Sequence, residues 1–425
     1  MNTRHYTVLL LLLLFPLLIY ADDKLSNWSI KGFGTLAFTG TDTNKLGFYR
    51  DKSQTQDADS GWGMTPDSQF GMQLDWKIND DVQTTVQWIA RDHAGDFFEQ
   101  NLDWAFVRWS VADDLDLRFG RIGVGMFTMS DYRNIGYAYP WMRPPHEFYA
   151  VIPYYHFDGA DVTKKFFLDD GYLTIKAYAG YSFNQLPTQS SGVHNQHSPA
   201  TGAMIRYEEG DWMFRAGYTF AAITSNPPLQ DILTPINSPY YKTYWPSLQS
   251  IVPMITMQGK EFHFFTLGMN YDDGDWLSQF ETSYTRSNIV WSPSRVNGYW
   301  GFGKHLSDVT LFSLLGFAKS FEDSVSLPNP LIANRDLILN KQRLEYALNH
   351  TAMNEQSVSI GTRWDFHTNM DLKLQWDHYW LGQHNGTQYW QQSLGTNNPN
   401  QVNVMSVGID FMRIKSIKVE YLTYT

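Results

Sequence analysis

From Trp28 the chain alternates, with Trp28, Ile30, Gly32, Gly34, Leu36 and Phe38 at even positions and Ser29, Lys31, Phe33, Thr35, Ala37 and Thr39 between them. The stretch after Ser68 is cleaner, setting Phe70, Met72, Leu74, Trp76 and Ile78 against Gln69, Gln73, Asp75 and Lys77. Period two marks a β-strand with one apolar and one polar face. The pattern predicts 16 strands, near 28–39, 67–78, 83–91, 101–111, 115–121, 158–166, 172–182, 201–208, 211–221, 261–271, 276–286, 298–304, 308–318, 356–366, 371–380 and 402–411. Their connections alternate strictly. Long ones fall at 40–67, 92–101, 122–157, 184–200, 225–260, 287–297, 319–356 and 382–401, and between them lie short turns such as Asn79, Asp80 and Asp81 or Asp272, Asp273 and Gly274. Asp and Gly in short turns suit antiparallel hairpins. An even number of strands with short turns on one side and long loops on the other is the pattern of an all-β transmembrane barrel. A soluble sandwich also alternates along each strand, but its connection lengths have no reason to alternate.

Composition supports the reading. The 425 residues include 25 Tyr, 27 Phe and 16 Trp, yet only 18% are charged, and the mean hydropathy is −0.37. Apolar residues spread one in two along strands produce that combination. Trp76, Trp88, Trp212, Tyr271, Trp276, Trp364, Trp376 and Phe411 recur near strand ends, as in the aromatic girdles of membrane barrels. One strand resists assignment: Asp103 and Arg108 have opposite parity within 101–111, which a bulge or a contact between protomers would reconcile.

Arg4 and His5 precede an apolar run from Val8 to Tyr20, followed by Ala21, Asp22 and Asp23. The run is too short to span a bilayer and reads as a signal peptide over 1–21, cleaved near Ala21. The barrel is then expected over 22–411, exported and cysteine-free. A formal charge of −11 argues against nucleic acid as a partner, and no residue pattern implies a metal or cofactor. His194 and His197 lack a third ligand. No nucleophile-elbow glycine pattern frames a serine, so no enzymatic activity is expected.

The inward parity is rich in charge: Arg91, Arg118, Lys176, Arg206, Arg215, Arg363 and Lys373, with Asp75, Glu281, Asp365 and Asp377. Of these, Arg91, Arg118, Arg206, Arg215, Glu281, Arg363, Asp365 and Lys373 are the candidate pore lining, where charges set the field felt by solutes or simply pair with one another. Sixteen strands enclose a channel wider than side chains alone can fill. The third long connection carries YRNIGYAYPWMRPPHEF from Tyr132 to Phe148. Pro140, Pro144 and Pro145 stiffen it and prevent a strand, and its aromatics give it area to press against a wall. The expectation is a loop folded into the barrel, with Asp131, Arg133, Arg143, Glu147 and Asp158 at the constriction; an outward lid or a protomer contact are the alternatives.

GFGTLAFTG at 32–40, MSDYRNIGYAYPWMRPPHEFY at 129–149, DGADV at 158–162 and RWDFHTNMDLKLQWDH at 363–378 resemble the Gram-negative outer-membrane porin-like family. The resemblance implies a passive, water-filled channel for small hydrophilic solutes and ions, set in outer-membrane lipid and commonly a homotrimer. Such barrels usually end on an aromatic, as at Phe411, yet residues 412–425 follow. This extension hangs free, prolongs the last strand, or is a gene-end irregularity. The alternative functions are a substrate-specific channel for sugars or organic acids, a lipase, and an adhesin using the loops at 225–260 and 319–356.

Overall fold

The computed structural model of the chain describes residues 27–55, 61–150, 154–187, 193–226, 236–290, 292–321, 325–349, 352–382, 389–391 and 399–417. The expected signal peptide and the last eight residues lie outside them. Sixteen strands of the described residues form the wall: β1 Trp28–Thr41, β2 Gln69–Lys77, β3 Val82–Ala90, β4 Leu102–Ala112, β5 Leu115–Gly123, β6 His156–Phe167, β7 Tyr172–Pro187 and β8 Val193–Glu209, then β9 Trp212–Ala222, β10 Glu261–Asp272, β11 Trp276–Ser287, β12 Arg295–Leu306, β13 Val309–Ser320, β14 Asn354–His367, β15 Met370–Leu381 and β16 Gln401–Ile417. Each pairs antiparallel with its sequence neighbours, and β1 closes the sheet against β16 with Gly34 opposite Phe411. Closure leaves no edge strand.

The side-chain alternation follows the sequence pattern. On β15, Asp371, Lys373, Gln375, Asp377 and Tyr379 are buried inward, while Leu374 and Trp380 are exposed outward at 47% and 42%. The outward face is largely apolar, with Leu36, Phe38, Leu267, Trp300 and Leu315 exposed on it; no helix among the described residues is long and apolar enough to cross a membrane. Aromatic pairs cluster at the short-turn end, with Trp28 stacked on Trp76 at 5.0 Å and Trp212 against Tyr271 at 4.5 Å.

Several differences from the sequence pattern have physical causes. The β7–β8 ladder continues to Pro187 opposite Val193, so the expected loop at 184–200 is mostly strand, and His194 and His197 sit in it. Alternation fails there because inward Asn184, Gln196 and Ser198 are matched by mixed outward residues. The parity conflict on β4 is a bulge: Leu102 faces Trp88 and Trp104 faces Gln87, leaving Asp103 as the extra residue. The bulge turns both Asp103 and Arg108 inward. β16 runs past Phe411, with Met412 to Ile417 paired to Phe33 to Trp28.

Two connections that alternation left blank share a core. Trp245, Leu248, Ile251 and Ile255 from one pack on Leu327, Leu337 and Leu348 from the other, the last two on a helix spanning Arg335–Asn349. Asn334 starts that helix by accepting the amides of Asp336 and Leu337 through its side chain.

Candidate functional site

The connection between β5 and β6 has almost no surface of its own over its described residues 124–150, where Asp131 and Ala138 alone are exposed. Residues 141–150 are all buried. Its polar atoms meet inward positions on strand after strand. The Gly125 carbonyl accepts from Arg215 on β9, and the Met126 carbonyl from Thr266 on β10 at 3.2 Å. The Thr128 amide donates to Glu281 on β11 at 2.8 Å, and Asn297 on β12 donates to the Glu147 carbonyl. Arg363 on β14 reaches the Tyr137 carbonyl at 2.8 Å, and Lys373 on β15 reaches the carbonyls of Gly136, Tyr139 and Trp141. On the opposite side, Gln69 holds the Asn134 carbonyl at 2.8 Å and Asp103 accepts from the Asn134 side chain.

Glycines in the wall make room for these contacts. A Cβ at Gly301 would stand 2.8 Å from the Trp141 ring, and Gly136 itself lies so close to Asp410 and Thr35 that no side chain fits. Trp141, Phe148 and Tyr149 then bury their rings against Phe312 and Tyr299. Full burial of a ring such as Phe148 contributes about 2–3 kcal/mol.

Three of the five expected constriction residues are used in holding this segment. Arg143, 2% exposed, makes a paired contact with Asp67 at 2.9 and 2.6 Å and reaches Asp377 at 2.8 Å. Burial alone would raise the Asp67 carboxyl, but the Arg143 guanidinium outweighs it and holds Asp67 below its usual range. Arg133 donates to the Tyr154 carbonyl at 2.7 Å and lies 3.8 Å from the Tyr155 ring, which Arg91 also covers at 3.7 Å. Glu147 is pressed between Gly316 and Ser357. The cavity beside Arg143, Glu147 and Asp377 is about 10 Å³, room for one water at most.

Asp158 does not join them. It pairs with Arg121 at 2.8 Å on the outward parity of β5 and β6, while Asp161, three residues on, faces inward to Arg118. The odd spacing within DGADV puts the two aspartates on opposite faces of the strand.

The expected lining divides similarly. Glu281 is buried and takes the Tyr149 and Tyr299 hydroxyls. Lys373 is buried against Asp410 at 2.7 Å, and Arg363 pairs with Asp365 and Asp371. Arg91 donates to Asn134. Arg118 and Arg206, partly open, pair with Asp161 and Glu208. Asp67, Asp410 and the Tyr155 partner Asp51 escaped the sequence reading. Asp410 shares the inward parity of β16; Asp67 and Asp51 precede β2 in a long connection and carried no such signal.

Asp131 is different. It is exposed, and no described residue hydrogen-bonds its carboxylate. Enclosure by protein raises its pKa, but Lys176, Arg118, Arg215 and Arg206, in that order, outweigh this and keep it lowered and ionised. On the remaining side Tyr154 meets Ser198 and Gln196 on β8, Gly125 packs beside Lys176 and Tyr178 on β7, and the inward residues Asp161, Thr174, Tyr178, Ser182 and Gln196 are buried.

Burial pushes the Glu147 carboxyl up to about 7, with the charge of Asp377 adding to the rise and Ser357 opposing it. A raised carboxyl weakens the seated state as pH climbs. Below the ordinary value of 4.5 the proton is bound whether the segment is seated or released, so nothing is lost. Between there and about 7 only the released carboxyl ionises, and above that the penalty is complete. Protease cleavage within 124–150 is therefore expected to be faster at pH 8 than at pH 5, and Glu147→Gln to flatten the difference. An unchanged pH profile in Glu147→Gln would remove Glu147 from this role.

No protein-family model matches the chain, and no curated protein matches it. Solved structures do: OmpF of Salmonella typhi in complex with daunomycin is 14% identical, covering 91% of this chain and 98% of that one, with a TM-score of 0.49. In-vitro folded OmpT of Vibrio cholerae is 12% identical over 93% and 99% of the two chains, with a TM-score of 0.49. The outer membrane channel DcaP of Acinetobacter baumannii is 11% identical over 92% and 99%, with a TM-score of 0.48. Likeness at this level carries no argument about function. The barrel rests on its own strand pairing.

Proposed function

We propose that the chain is an outer-membrane porin, a water-filled channel through which small hydrophilic solutes diffuse passively. The observation that carries the reading is the closed 16-strand barrel, whose inward positions are polar and charged while its outward ones are apolar, with Asp131 of the internal segment under the charges of Lys176, Arg118, Arg215 and Arg206. A solute passes between a single acidic tip and a basic wall, and the width and field of that gap select it. The constriction is thus Asp131 with Arg118, Lys176, Arg206 and Arg215, while Arg133, Arg143 and Glu147 hold the segment in place. The apolar exterior suits outer-membrane lipid, reached by export through residues 1–21. A homotrimer is part of the same proposal, supported by the resemblance in the sequence.

Planar-bilayer recording of the refolded chain tests it. Stepwise conductance is expected, with Asp131→Asn altering unitary conductance. Well-folded protein that inserts without conductance steps would reject the channel.

A further inference from the structure

We propose that the long-loop end of the barrel holds a binding site for a neutral, apolar small molecule about the size of two fused rings. The inference goes beyond the channel reading and does not depend on it. It concerns a cavity of about 320 Å³ lined by Ile289, Val290, Pro293, Val325, Leu348 and Ala352, together with Ser287, Asn288 and Asn349.

The cavity lies where two long connections meet. Ile289, Val290 and Pro293 belong to the one between β11 and β12; Val325, Leu348 and Ala352 belong to the one between β13 and β14, with Leu348 on the helix Arg335–Asn349. Ile289 is part of the apolar cluster that continues into the barrel, whereas Leu348 belongs to the core built on Trp245, and Val290 and Val325 pack against that core. An occupant therefore touches both clusters at once.

Hydrogen bonds hold its frame without a ligand. The Ser294 hydroxyl donates to the Ser287 carbonyl and accepts the Ser287 amide, each at 3.1 Å, and the Phe321 amide donates to the Ser294 carbonyl at 2.9 Å. Across the cavity, the Asn349 side chain accepts the Val325 amide at 2.7 Å and donates to the carbonyls of Val325 and Glu345 at 2.8 and 2.7 Å. A site formed in advance spares its ligand the cost of ordering it.

The lining decides the chemistry of the guest. None of its described residues is charged. Of the polar ones, Asn349 has used both amide protons and its oxygen, the Ser287 hydroxyl accepts the Ile289 amide, and the Asn288 side chain accepts the Glu261 amide, both at 3.1 Å. A water is held in a cavity by about two to four polar partners, and here those groups are engaged already. An apolar guest that displaces loosely held water gains affinity, whereas a charged one meets no counter-charge and carries the cost of its burial. As for size, a dry cavity of about 150 Å³ takes benzene, and this one has about twice that room.

Hydrogen exchange of the full chain in lipid nanodiscs tests it, with naphthalene as the neutral probe and 2-naphthoate as its charged counterpart. Naphthalene is expected to slow exchange at the hydrogen-bonded amides of Ile289, Val325 and Ala352, by about tenfold once the free probe stands at about ten times its dissociation constant. At the same concentration 2-naphthoate is expected to leave them unchanged. Val325→Phe and Ala352→Phe, which each place a ring in the cavity, are expected to abolish the naphthalene effect, and unaltered exchange along the wall strands identifies the variants that fold. No slowing by naphthalene up to its solubility limit overturns the proposal. So does equal slowing by the two probes, or slowing that survives in a folded variant. Conductance plays no part in the readout, so failure of the channel reading is a separate result.

Discussion

Arg143→Met is expected to release the internal segment from its seat. The substitution keeps the length of the stem but leaves Asp67 and Asp377, each about 1% exposed or less, without their shared cation. Removing one partner of a buried ion cluster costs about 3–5 kcal/mol, because the charges left behind have no solvent. Residues 124–150 should become sensitive to protease in barrels that otherwise remain folded, and unitary conductance should rise and grow noisy. Adding Asp67→Asn and Asp377→Asn to Arg143→Met should restore much of the protection, since neutral side chains in a buried site no longer carry the desolvation penalty. Wild-type protection and conductance in Arg143→Met alone would show that the packed aromatic rings suffice to hold the segment.

Lys373→Met is the second large effect. Its ammonium group is wholly buried, donates to the Gly136 and Tyr139 carbonyls at 2.7 Å and to that of Trp141 at 3.1 Å, and pairs with Asp410. One side chain therefore fixes six residues of backbone and neutralises an acid that also accepts the Thr35 hydroxyl. Its loss is expected to cost on the order of 3–5 kcal/mol, because Asp410 loses its cation and the Trp141 carbonyl its donor. Hydrogen exchange should accelerate at the amides of 136–142 and little elsewhere on the wall. Exchange there at the wild-type rate would mean that the remaining contacts, Arg363 to the Tyr137 carbonyl and Met142 to Gln375, hold the backbone unaided.

Both substitutions fall on residues whose charge was plain in the sequence but whose task was not. Lys373 shares its parity with Asp371, Gln375 and Asp377, which places it inside the barrel and says nothing of what lies above it. A lysine facing water and a lysine capping three carbonyls give the same pattern. Arg143 and Glu147 were legible as charges on a stiff aromatic segment; the structure buries both against the wall. Asp158 and Asp161 in DGADV differ by three residues, and only the register of β5 against β6 shows which one faces in. The bulge at Asp103 is a similar case, since one extra residue reverses parity without leaving a signal of its own.

By itself, the sequence determined the wall. Strand count, strand order, the sided alternation of turns and loops and the face most wall residues take follow from local rules of period two and turn chemistry, each read within about ten residues. Tertiary structure alone decided which inward charges anchor the segment at 124–150. That division depends on contacts between residues far apart in the chain, Arg143 with Asp377 or Lys373 with Gly136, where burial and pairing are set by how the segment crosses the barrel.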